Sequence, residues 1–152
     1  MTPFREALSA LAALHPTGVT ARFGLDDASE TLSRAQFPAL LVVPFDQQDR
    51  RLFRERGAAF EALAFANGPK LVTYTVTHLL LVAPDDAGLG MRSHLPHLAD
   101  LLDAYFAALA ADPTLGGALA APARVSVEPG TFSWSDLRCT GAALRHRWSI
   151  AY

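Results

Sequence analysis

Histidine is the first side chain to test for chemistry, because it titrates near neutrality and ligates metals. The chain carries five. His94 and His97 stand three apart, a spacing that sets two imidazoles on one helix face. No carboxylate and third donor follow at a diagnostic distance, and zinc needs at least three protein donors. The pair reads as the solvated start of a helix, and no metal is expected. His78 and His146 each fall on the apolar side of an alternating segment, so they read as hydrogen-bonded structural histidines that can be neighbours. His15 closes a helix, where an imidazole suits the dipole. The lone Cys139 has no local signature of a nucleophile and reads as inertly buried. Gly88-Leu89-Gly90 lacks the third glycine of a dinucleotide loop, and no phosphate loop is present. Asp26-Asp27 and Asp85-Asp86 read as turn residues. No catalytic residue and no cofactor is expected.

One polar cluster does suggest a role. Arg50, Arg51, Arg54 and Arg56 stand among Asp46, Asp49 and Glu55 in a charged stretch over 45–57. A loop of that length is long for a small domain and is either mobile or used. Arginine forks suit shaped contacts with acidic groups, and the interleaved acids argue for a protein partner over nucleic acid.

The elements that must position these groups follow from periodicity. Pro3 opens an amphipathic helix with Phe4, Leu8 and Leu11 on one face, ended near Pro16-Thr17-Gly18. Val19, Ala21 and Phe23 alternate as a short strand, and Ala39-Leu40-Leu41-Val42-Val43 lies between two prolines as a buried one. Residues 58–66 and 71–83 flank Asn67-Gly68-Pro69-Lys70 and form a hairpin. In its second strand Thr73, Thr75 and Thr77 share one face, while Val72, Tyr74, Val76, His78, Leu80 and Val82 share the other. By Leu79 both faces are apolar, so that end should be covered twice, by a helix or by another subunit. Leu95, Leu98, Leu101, Leu102, Tyr105, Phe106 and Leu109 form the helical stripe of strongest periodicity. Residues 123–127 read as a strand turned at Glu128-Pro129-Gly130. The last strand sets Leu144, His146, Trp148 and Ile150 against Arg145 and Arg147.

This order contains no repeated βαβ unit. It predicts an α+β fold with a mainly antiparallel sheet of four to six strands and two main helices packed on one face. The length of 152 residues fits a single domain over 1–152, and a 51% apolar content excludes a disordered chain. The net charge of −2 gives no general pull toward nucleic acid or membrane. With one cysteine, no disulfide framework forms, and the reading is of a protein made in a reducing compartment with no membrane span.

The amphipathic first helix with Arg5-Glu6-Ala7-Leu8, the Phe37-Pro38-Ala39-Leu40-Leu41-Val42 strand, the long strand over 72–82, the helix over 98–109 and the aromatic-ended last strand together resemble the tail terminator proteins of long-tailed bacteriophages. Asp112-Pro113-Thr114-Leu115-Gly116-Gly117 is similar to a segment of tail-completion and neck proteins. The resemblance implies a virion structural subunit, assembled in the bacterial cytoplasm, that forms a hexameric ring with copies of itself. Such a ring caps the finished tail tube, stops polymerisation of the tube protein and offers a surface for the head-tail connector, or for sheath in a contractile tail, with DNA passing through it. Arg50, Arg51, Arg54 and Arg56 are the expected contacts with tube or connector. The strand edges around Leu79, Leu81, Arg145 and Arg147 are the expected subunit contacts. The alternatives are a neck or head-completion protein and, in another class, a small enzyme using His78, His146 or the pair His94 and His97.

Overall fold

The structure is a computed structural model that describes residues 3–27, 31–43, 59–62, 71–85, 91–134 and 136–152. The first helix, α1 (Pro3–Ala13), turns Ala7, Leu8 and Leu11 inward. The chain then runs through β1 (Ala21–Phe23), β2 (Ala39–Val43), β3 (Ala59–Ala62) and β4 (Leu71–Pro84). The long helix α2 (Leu95–Ala111) follows, with Pro96 tolerated in its first turn, where an amide has no intrahelical partner. Two long strands, β5 (Arg124–Trp134) and β6 (Leu137–Ala151), close the chain.

One six-stranded sheet carries the fold, in the order β1-β2-β4-β6-β5, with β3 also on β4. β4 and β6 pair antiparallel along nearly their whole length, from Leu71↔Ala151 to Pro84↔Cys139. β2 and β3 share the other edge of β4, opposite residues 77–81 and 72–75. β3 and β4 are therefore antiparallel, as the hairpin reading requires, although the turn itself lies outside the described residues. Among the described residues only β1 and β2 are parallel. A parallel pair needs a crossover connection, and here residues 24–38 supply it.

Both helices pack on one face of the sheet. Under α1, Leu8 and Leu11 meet Val42, Tyr74, Val76, Trp148 and Ile150. Under α2, Leu98, Leu101 and Tyr105 meet Leu40, Leu80, Val82 and Leu144. The side chains of β4 and β6 alternate with a period of two, so their even-numbered residues line this face. The opposite face holds Leu41, Leu79, Leu81, Cys139 and Ala143, packed against Phe37, Phe132, Trp134 and Leu137 and joined by Leu32.

That second cover corrects one expectation. The far face at Leu79 is covered from within the same chain, and not by a helix: the crossover contributes Leu32 and Phe37, and the ends of β5 and β6 contribute the rest. The expected turn at Glu128-Pro129-Gly130 is also absent, since β5 runs straight through it. β5 pairs only with β6 among the described residues, and an edge strand is where the missing amide of a proline is tolerated.

Candidate functional site

His78 and His146 come together between the two apolar clusters. On β4, His78 follows Tyr74 and Val76 and precedes Leu80. On β6, His146 stands between Leu144 and Trp148. The rings are 6.2 Å apart, and α2 lowers Tyr105 onto the gap. The Tyr105 hydroxyl lies 2.7 Å from His78 Nδ1 and 2.6 Å from His146 Nε2. Trp148 Nε1 donates to His146 Nδ1 at 3.4 Å. All four side chains are at most 1% exposed.

The chain of bonds has a direction. An indole N–H only donates, so His146 Nδ1 is the acceptor and a neutral His146 carries its proton on Nε2. That N–H donates to the Tyr105 oxygen. The phenol in turn donates to His78 Nδ1, and a neutral His78 carries its proton on Nε2. Burial favours this neutral state. His78 is held well below the usual imidazole range by burial and then by the nearby His146, and burial lowers His146 to about 3. Burial also pushes the Tyr105 phenol well above its ordinary value. A buried polar seam of this kind, bonded in a continuous chain from Trp148 to His78, fixes how a helix sits on a sheet. It is sealed from solvent.

The remaining candidates are dispersed. Arg50, Arg51, Arg54 and Arg56 lie outside the described residues, as do Asp86 and the Gly88-Leu89-Gly90 segment. Leu79 and Leu81 are 1% and 0% exposed within one chain. β4 and β6 are paired on both sides around Leu79 and Arg145. The expectation of open strand edges there is therefore corrected: those strands are interior to the sheet at these residues, and among the described residues its edges are β1, β3 and β5. Arg145 is nearly buried and forms an ion pair with Glu128 on β5, whereas Arg147 is exposed.

His94 is half-buried in the 3-10 turn Met91–His94, and His97 is exposed on α2. No group of three or more His, Cys, Asp or Glu converges among the described residues. Cys139 is fully buried, and its thiol is pushed up to about 11 by burial and then by Asp85, which accepts a hydrogen bond from Thr140. A surface cleft of about 600 Å³ lies between α1 and the 24–27 segment. Its charged groups are engaged within the chain: Arg22 donates to the Ala13 carbonyl, Asp26 pairs with Arg5, and Asp27 accepts from the Gly24 amide.

Two surface features stand out instead. β5 is an 11-residue edge strand. On α2, Leu95 and Phe106 are 41% and 45% exposed, and with Ala99, the partly buried Leu102 and Ala110 they follow a spacing of three and four that makes one apolar stripe. The stripe is legible in the sequence only once it is known which side of α2 the sheet takes, and the edge position of β5 only once the strand order is known. No helix among the described residues is long and apolar enough to cross a membrane. Neither a protein-family model nor a curated protein matches the chain.

Proposed function

We propose that this chain is a ring-forming structural subunit that terminates a phage-type tail tube. One observation carries the reading: an 11-residue edge strand and, on α2, an exposed apolar stripe in the same chain. An exposed strand edge is a template for pairing, and monomers manage it with short strands, charges or covers. A contact between different surfaces, repeated about an axis, closes such edges in a ring. The sequence resemblance to tail terminators supports the same reading. In it, one face of the ring matches the last layer of tube protein, the other lacks a surface for a further layer, and growth stops. Arg50, Arg51, Arg54 and Arg56 make the contacts with tube or connector.

The test is negative-stain imaging and light scattering of the purified chain, alone and with polymerising tube protein. Closed rings and shortened tubes are expected. Reversing the four arginines to glutamate should leave the rings and abolish capping. A monomer at high concentration, with and without tube protein, overturns the reading.

A further inference from the structure

The polar seam does more than fix α2. Each bond from Trp148 through His146 and Tyr105 to His78 is satisfied only while both imidazoles are neutral. We propose that this seam is an acid-sensitive latch between α2 and the sheet, closed when both rings are neutral and opened by a proton on either. It stands apart from the tail reading and does not depend on it.

The geometry dictates what a proton does. A proton on His146 Nδ1 sets an N–H against the Trp148 N–H, two donors face to face. A proton on His78 Nδ1 brings a second N–H to the Tyr105 oxygen and leaves the phenol hydrogen with no acceptor. Either change buries a charge and an unmatched donor, which a dry interior penalises heavily.

Among the described residues no neighbouring group offsets the charge. From β4 the rings are flanked by Val76 and Leu80, with the phenol of Tyr74 beyond, and from β6 by Leu144 and Trp148. Val42 of β2 stands opposite His78, and Val125 of β5 stands opposite His146. α2 supplies only Tyr105. Among the described residues the titratable groups that face the pair are thus two phenols kept protonated by burial.

The helix is the part that yields. β4 and β6 are bonded backbone to backbone along nearly their entire length. α2 reaches the seam through the Tyr105 side chain alone.

Two measurements on the full chain test the latch. Nitrogen-15 imidazole spectra should show both His78 and His146 with the proton on Nε2, and neutral at pH 5 in the folded protein. Hydrogen-exchange protection of α2 should fall with acid before that of β4 and β6. Because both rings titrate freely only when unfolded, near 6.5, the folding constant should drop roughly 60-fold from pH 6 to pH 5. Replacing His78→Leu, Tyr105→Phe and His146→Leu together should remove that drop. An Nδ1–H tautomer in either ring, either ring titrating with α2 still protected, or equal loss of protection in helix and strands overturns the proposal. The spectra and exchange on the unaltered protein decide it even if the triple variant does not fold.

Discussion

Tyr105 holds two other side chains in register with a single hydroxyl, which accepts from His146 and donates to His78. Tyr105→Phe removes that oxygen and keeps the ring. It leaves the His146 Nε2–H and the His78 Nδ1 acceptor buried with no partner, and each orphaned group costs about 1–3 kcal/mol. A loss of about 2–4 kcal/mol in urea unfolding at pH 7.5 is expected, a large part of the stability of an ordinary domain. The histidines themselves were legible in the sequence, because alternation along β4 and β6 sets His78 and His146 on the core face. Tyr105 was legible only as one more member of a helical stripe. Nothing in a periodicity of 3.6 tells which rung of a helix will cross two particular strands, so the bond that unites the site depends on tertiary packing.

At the scale of elements, the β4–β6 pair is the spine, and one residue lets it form. A Cβ built on Gly141 falls 1.9 Å from the Leu80 carbonyl oxygen. Leu81, next to Leu80, is its register partner, just before the irregularity between Leu81 and Ala83. Gly141→Ala must therefore push the two central strands apart. A loss of about 3 kcal/mol or more is expected, or failure to fold, read by circular dichroism and thermal unfolding. The alternation of β4 and the stripe of α2 made both elements plain from sequence. Two features were not plain. The parallel β1–β2 pairing comes from the path of the 24–38 crossover, which packs Leu32 and Phe37 under the sheet, and no local pattern encodes that path. β5 passes through Pro129-Gly130 because it lies at the edge, where a lost amide breaks no inner ladder. A turn signal in the sequence is decided by the strand's place in the sheet.

For the whole molecule, the decisive property is what the sheet leaves uncovered on its helix side. Tyr105 points into the core, whereas its neighbour Phe106 is 45% exposed, and the two rings meet edge-on at 6.5 Å. Leu95, at the start of the same helix, is 41% exposed. Because these side chains contribute little to the fold of one chain, Phe106→Glu together with Leu95→Glu should leave the unfolding free energy within about 1 kcal/mol of the parent, at about 0.5 kcal/mol for each surface change. In a ring they would sit at the centre of a contact that must bury about 1,000 Å² or more to be stable. Two carboxylates there would be desolvated without partners, and aromatic anchors of such contacts typically carry 2 kcal/mol or more each. The double variant should then sediment as a folded monomer at concentrations where the parent forms rings. If it still closes rings, the stripe is not the seam between subunits. The contact must then be sought along the β5 edge, where Arg124, Ser126 and Glu128 line the exposed face of the strand.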